Sequence, residues 1–304
     1  MKMEVFIAPS GRLFLDLIFT GFDRPPMLGE EHYAKNFASM LGGTFNTARA
    51  FLRLGIDAHL AADVGTDLPS RIVREQWDAE GAPATFRREI DGPAAAITCS
   101  FSMECDRALL SYVDELPPPD SDPEILVRHA VRHMVMPGFP PDEGLLPMMR
   151  KARELGVPIY LDGQFTERSA ADPLVSAHLS IVNYFMCNEL EAAALSGKSD
   201  PAEAAVFLEG IAPAAIVKCG ACGAVMVKRG EITLQPAPKV EVVDTTGAGD
   251  CFVAGFVCAK IHGMDDRTAL RFAVATGSLT CTGMGGGATP TFDEVQRMLG
   301  DSRW

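Results

Sequence analysis

The chain predicts an α/β fold: a mainly parallel sheet covered by helices on both faces, with a smaller β-sheet standing apart from it. Short apolar runs alternate with amphipathic helical runs over most of the length, the pattern of successive βαβ units. Residues Pro83 to Glu115 break that alternation, reading as strands with one exposed face, and end at Pro117-Pro118-Pro119-Asp120. Val243 to Phe256 (VDTTGAGDCFVAGF) reads as a glycine-rich turn feeding straight into a helix.

Val5 to Ala8 and Leu13 to Phe19 are apolar strand candidates, and Gly21 to Glu31, rich in Gly, Pro and charge, is a loop. Thr44 to Leu54 sets Phe45, Ala48, Phe51 and Leu52 at helical spacing and stops at Gly55. His59 to Ala62 is a strand, and Leu68 to Glu80 is a second helix, through Ile72, Val73 and Trp77, stopping at Gly81. Part of residues 11–36 joins the 84–115 stretch in a small sheet that can close over a substrate. Beyond the prolines, strands are expected at His133 to Met136, Val157 to Leu161, Ile181 to Met186, Ala215 to Val217, Ala224 to Val227 and Ile232 to Leu234. Helices are expected near Asp142 to Leu155, Glu189 to Leu195, Ala204 to Leu208, Cys251 to His262 and Asp265 to Leu279. Thr291 with Glu294 makes a capping box for a last helix.

With 304 residues, 47% of them hydrophobic, the chain can bury a substantial core; its length suggests about two domains or, equally well, one large α/β domain with an appendage. A net charge of −13 offers no basic field for nucleic acid or an anionic membrane. No apolar run approaches the roughly 20 residues that span a bilayer. Glu4, Arg12 and Asp16 interrupt the N-terminal stretch, so no signal peptide is expected. Eight irregularly spaced cysteines read as reduced thiols, which makes the cytoplasm the expected location. Cys219 and Cys222 form a C-x-x-C, yet no second pair completes a zinc set, and a thiol-redox role is the weaker reading. The six histidines show no metal spacing and no G-x-x-x-x-G-K-[ST] occurs. Gly283 to Gly287 follows a helix, the wrong context for a dinucleotide fold.

In the glycine-rich turn, Gly247, Ala248 and Gly249 leave the backbone N–H groups of Gly247 to Asp250 able to face an anion, where the helix dipole also favours one. A carboxylate at Asp250 should repel that anion, unless it accepts the proton of a hydroxyl attacking it. The combination reads as phosphoryl transfer to an alcohol. The plain alternative is a tight turn with Asp250 as a helix cap.

From Asp244 to Val257 the chain closely resembles the C-terminal signature of the ribokinase-like, or PfkB, family of carbohydrate and nucleoside kinases. The resemblance implies a ribokinase-like three-layer α/β/α sandwich, a single kinase domain over residues 1–304 with a β lid built from about 11–36 and 84–115. It implies ATP as phosphoryl donor, Asp250 as catalytic base and the amides of Gly247, Ala248, Gly249 and Asp250 as an anion hole. Leu41 to Gly65 resembles the family's N-terminal signature, with Asn46, Ala48, Gly55 and Gly65 at its spacings after Gly42-Gly43 and a departure at Thr44. Gly42, Gly43, Asn46 and the early Asp16 are then substrate-binding, as suits a polyol that needs acceptors and amides in a cleft.

Asn183 to Gly197 resembles the family's N-x-x-E segment, implying that Asn188 meets the nucleotide and Glu191 holds Mg2+ through water; by itself the pair reads as a capped helix start. Lys218 to Gly223 resembles the strand-turn-strand beside the nucleotide, which implies Lys218, Gly220 and Gly223 near ATP. Asp244 and Thr246, with carbonyls near Gly285, lie where some family members bind a monovalent cation such as K+, although the arginine that often accompanies that loop is missing. Asp162-Gly163-Gln164 replaces the common Asp-x-Asn, and Arg168 either meets an anionic substrate group or pairs at the surface. The expected activity is ATP-dependent transfer to a hydroxyl, an exocyclic hydroxymethyl, of a small carbohydrate. A nucleoside kinase is the alternative, with Phe14, Phe37, Phe101 and Tyr112 as candidate floor for a base; a catalytically silent sugar sensor is the less favoured one. An exposed apolar lid face also implies a homodimer through the lid.

Overall fold

Strand β1 (Val5–Ile7), buried at every residue, is the line from which a nine-stranded sheet grows in both directions. The computed structural model describes residues 2–22, 24, 27–102, 107–139, 143–283 and 288–300. On one side of β1 lie β4 (Ala58–Val64) and β5 (Phe86–Glu89). On the other lie β8 (His133–Met136), β9 (Ile159–Asp162), β10 (Tyr184–Asn188), β11 (Ala214–Lys218), β12 (Ala224–Lys228) and β13 (Glu231–Gln235). Pairing is parallel from β5 through to β11, and β12 and β13 close the edge antiparallel.

Alternate strand residues feed two cores, which is why these strands read as continuous apolar runs. Val5, Ile7, Val135, Met186 and Ile216 pack on one face with α1 (Thr44–Arg53), α2 (Leu68–Glu80), α8 (Ala248–Ile261), α9 (Asp266–Thr280) and α10 (Phe292–Gly300). Phe6, Ala8, Met134, Phe185 and Val217 pack on the other with α3 (Glu124–Arg128), α4 (Leu146–Glu154), α5 (Pro173–Leu179), α6 (Glu189–Ser196) and α7 (Pro201–Glu209). The three-layer α/β/α arrangement is therefore as expected. The Thr291–Glu294 capping box is also present, Thr291 N donating to Glu294 Oε2 at 2.7 Å and Glu294 N to Thr291 Oγ1 at 3.4 Å.

The separate sheet contains β2 (Leu13–Thr20), β3 (Asn36–Gly43), β6 (Ala96–Ser102) and β7 (Arg107–Val113), in the order β3-β2-β6-β7. Two of its expected limits change. β3 runs on to Gly43, past the expected 36: its NFASMLGG sequence carries no apolar alternation, and it is strand because it pairs with β2 from Leu13↔Gly43 to Thr20↔Asn36. β5, inside the 84–115 stretch, belongs to the large sheet, pairing with β4 while the Phe86 ring packs edge-on against Phe6 at 5.1 Å. Helices α3 and α5 were not expected; α5 does carry a readable start, Asp172 accepting from Leu174 N at 2.8 Å ahead of Pro173. Asp142 and Gly285 lie outside the described residues. Among the described residues no helix is long and apolar enough to cross a membrane.

Helix α8 is buried along most of its length and crosses α9 closely at Gly255, where a Cβ would stand 2.5 Å from Thr276 Oγ1. Phe256, fully buried, meets the Tyr184 ring edge-on at 4.9 Å. Phe256→Ala should therefore lower unfolding stability by about 3–5 kcal/mol in a denaturant titration, the scale of a large-to-small change in a core that cannot collapse.

Candidate active site

Because the strands are parallel, β1, β8, β9, β10 and β11 deliver their C-terminal ends to one edge of the sheet, and the start of α8 lies across that edge. Asp162 ends β9 and Lys218 ends β11. Lys218 Nζ donates to Asp162 Oδ1 at 2.6 Å and lies 3.3 Å from where a Cβ on Gly249 would stand. Asp250 follows, its Oδ1 accepting from Thr47 Oγ1 at 3.1 Å. Burial pushes the Asp250 carboxyl up, and the Asp162 carboxylate adds to it, to about 7; Lys218, Thr47 and Asn46 pull the other way. Burial also raises Asp162, against the pull of Lys218. Burial would lower Lys218, but Asp162 outweighs it and holds the ammonium above its ordinary range.

The turn before α8 is built by Gly247, whose φ of 76° suits glycine and which sits against the Asn46 carboxamide. Of the amides expected to face an anion, Ala248 N donates to Thr245 O at 3.2 Å and so is already engaged. Those of Gly249 and Asp250 have no backbone partner among the described residues.

On the lid side, Asp16 in β2 and Gly42 in β3 share a face, and a Cβ on Gly42 would overlap the Asp16 carboxylate. Gly43 ends β3 and caps α1, so Asn46 stands in the first turn of α1 facing Gly247. Asp16 is thus tied through Gly42 and Gly43 to the start of α1, whose Asn46 and Thr47 reach Asp250.

At the start of α6, Asn188 and Glu191 form a reciprocal capping box: Asn188 N donates to Glu191 Oε2 at 2.8 Å and Glu191 N to Asn188 Oδ1 at 2.9 Å. The bland reading of that pair is present in full, yet Glu191 Oε1 and Asn188 Nδ2 stay outside the box. Burial raises the Glu191 carboxyl. Glu191 Oε2 also lies 2.7 Å from where a Cβ on Gly163 would stand, beside Asp162. Gly220 and Gly223 flank a short 3-10 turn between β11 and β12. A Cβ on Gly220 meets nothing within 4 Å, whereas one on Gly223 would overlap β13, so Gly220 borders open space and Gly223 serves the hairpin.

Asp244 Oδ1 accepts from Thr246 N at 2.9 Å and Oγ1 at 2.8 Å, making a compact turn tied to α9 through Val243 N and Cys281 O. No group of three or more His, Cys, Asp or Glu side chains among the described residues is arranged to hold an ion. Arg168 donates to Asp172 Oδ2 at 3.2 Å in an exposed i,i+4 pair, the surface reading. Cys219 is buried and its thiol is pushed up to about 11, the wrong direction for a redox nucleophile.

Residues 122–292, more than half of the chain, match the model of the pfkB family carbohydrate kinases. The chain belongs to the pfkB carbohydrate kinase family. It is 28% identical to a 1-phosphofructokinase of Haloferax volcanii over 288 residues, covering 90% of each chain. It is 27% identical to the ribokinase of Bacillus subtilis over 299 residues, covering 96% of this chain and 99% of that one. The fold superposes on the Arabidopsis thaliana ribokinase solved with ribose and ATP at a TM-score of 0.84, with 22% identity, covering 99% of this chain and 100% of that one. As a member of this family it is a kinase that transfers a phosphoryl group to an alcohol hydroxyl.

Sequence reasoning named Asp162 and Lys218 separately and missed that they form one ion pair under the pfkB turn. It missed Thr47 altogether, since the contact with Asp250 spans 203 residues of sequence. Replacing Asp162 with Asn removes the negative neighbour and leaves Lys218 facing Asp250, so the Asp250 midpoint should fall below 7 by about one unit or more. Carboxyl carbon NMR titration of the free enzyme reads this directly.

Proposed function

We propose that the protein transfers the γ-phosphoryl group of ATP to an exocyclic hydroxymethyl of a small carbohydrate, with Asp250 as the base. The observation that carries this reading is the setting of Asp250: a carboxylate with proton affinity near neutrality, in the first turn of α8, next to open amides and the Lys218 ammonium. Asp16 and Asn46 hold acceptor hydroxyls, and Gly42 lets the sugar approach the backbone. Asp250 takes the hydroxyl proton as the new O–P bond forms, while ADP leaves with the electrons of the broken P–O bond. The Gly249 and Asp250 amides and Lys218 face the transferred group. Asn188 and Gly220 border the nucleotide, and Glu191 would hold Mg2+ through water, the ion supplying charge neutralisation of the phosphates. K+ at the Asp244–Thr246 turn is the accompanying proposal, tested by replacing K+ with a bulky organic cation in the assay.

Phe14, on the Asp16 face of the lid and beside Gly43, supports a nucleoside as the second acceptor reading. The activity is placed in the cytoplasm, where the unpaired cysteines would stay reduced. Asp250→Asn should lower turnover by about 10²–10⁴-fold, the worth of a positioned base, while Mg·ATP binding measured by calorimetry stays within about twofold. Near-full activity in that variant overturns the base assignment. ADP release against free sugars, sugar phosphates and nucleosides identifies the acceptor class, and a hit confined to nucleosides replaces the carbohydrate reading with the second one.

We also propose a homodimer through the lid. The lid face opposite Asp16 leaves Phe37, Leu110 and Tyr112 exposed at 60%, 68% and 60%. Leu110→Glu should move the protein from dimer to monomer in sedimentation velocity, and a wild-type monomer at high micromolar concentration counts against the interface.

A further inference from the structure

Arg49 lies on α1 one turn beyond Asn46, is 7% exposed, and bridges three elements with its guanidinium. Nε and Nη2 donate to the Glu80 carboxylate, at the end of α2, at 2.6 and 2.5 Å. Nη2 also donates to the carbonyl of Leu41, the β3 residue just before Gly42-Gly43, at 3.0 Å. Nη1 donates to Asn46 Oδ1 at 2.9 Å, and the guanidinium lies over the Phe45 ring at 5.1 Å from its centre.

The last of these bonds settles an orientation. A guanidinium can only donate, so the atom of Asn46 that faces it must be the carboxamide oxygen. The amino group is then the other arm of the carboxamide, the one left to bond the Asp250 carboxylate, while the side chain as a whole lies 3.5–3.7 Å from the position of a Gly247 Cβ. Asn46 is thereby fixed as a donor to the carboxylate and to whatever oxygen replaces water beside it. Released, the carboxamide could turn over and present its oxygen to a carboxylate, a repulsive contact.

We propose that Arg49, anchored by Glu80, is a positioning residue for phosphoryl transfer: it locks the Asn46 amino group towards Asp250 and pins Leu41, and with it the Gly42-Gly43 turn, against α1. The proposal rests on the reading of Asp250 as the base. The groups that face Asp250 are Asn46 and Thr47 from α1, Asp162 from β9 and Lys218 from β11. Arg49 reaches it only through Asn46, with no hydrogen bond of its own to Asp250.

The test uses the full-length free enzyme and needs no acceptor: the Asp250 carboxyl is titrated by carbon NMR in the wild type, Arg49→Lys, Glu80→Asp and Asn46→Ala. Arg49→Lys keeps the positive charge but loses the fork, so its Asp250 midpoint should rise by about half a unit to one unit, within the range that hydrogen bonds to a carboxylate exert. Glu80→Asp keeps the negative charge and shortens its reach to the guanidinium, so it should move the midpoint the same way by less and serves if the lysine variant does not fold. Adding Arg49→Lys to Asn46→Ala should move the midpoint no further, because the residue it acts through is gone. With the acceptor found in the panel, the acid limb of kcat/KM should follow the titration, and acceptor KM should rise about tenfold while Mg·ATP affinity is unchanged. An Asp250 midpoint unmoved in both folded variants overturns the proposal, as does a shift that persists in the Asn46→Ala background. Neither result depends on Asp250 being the base; that reading stands or falls separately on turnover in Asp250→Asn.

Discussion

Asp162 and Asp250 share a single ammonium, Lys218, and the chemistry available at the edge of the sheet depends on that imbalance. Two carboxylates withdrawn from water and one cation leave a charge that the site can relieve only by holding a proton near neutral pH. Asp162 takes the direct ion pair at 2.6 Å, so Asp250, with the weaker support of Thr47, carries the raised affinity. The arrangement needs β9, β11 and α8 in register to within one residue. A slip of one position along β11 would turn Lys218 to the opposite face and take its charge away from both carboxylates. The apolar packing of the two cores, apparently remote from chemistry, is what prevents that slip.

The remaining groups gather at the same edge for a topological reason. Strand order runs outward from β1 in both directions, which opens a crevice at the carboxyl ends of the strands. The lid enters that crevice through an unbroken piece of chain, since Gly43 is at once the last residue of β3 and the cap of α1. A displacement of β3 cannot leave the first turn of α1 untouched, and Arg49 sits at this joint with bonds to both sides. The small sheet and the surroundings of Asp250 are therefore mechanically linked through the first turn of α1.

Several residues with functional alternatives resolve to structural roles for plain physical reasons. Arg168 pairs with a neighbour one turn away in solvent, where an ion pair is worth little. Cys219 is buried in apolar surroundings that disfavour its thiolate, while Cys222 is exposed. Asn188 and Glu191 form a capping box that leaves one carboxylate oxygen of the glutamate and the amino group of the asparagine outside it.

Local pattern made much of the architecture readable in advance. Leu68–Glu80, His133–Met136 and the Thr291 capping box were legible from apolar periodicity and caps, and the run from Gly247 to Asp250 announced a helix start fitted to phosphoryl transfer. Such features depend on neighbours within a few residues, which the sequence contains in full. The strand character of β3, the transfer of β5 to the large sheet, the Thr47–Asp250 and Lys218–Asp162 contacts and the Arg49 bridge were not legible. Each joins groups far apart in the chain, and its energy comes from pairing and burial that exist only once the layers have packed. The sequence by itself determined most of the elements and the chemical class of the turn at Asp250; the tertiary structure alone decided the strand pairing of β3 and which charges meet at that turn, because proximity across the fold has no local signature.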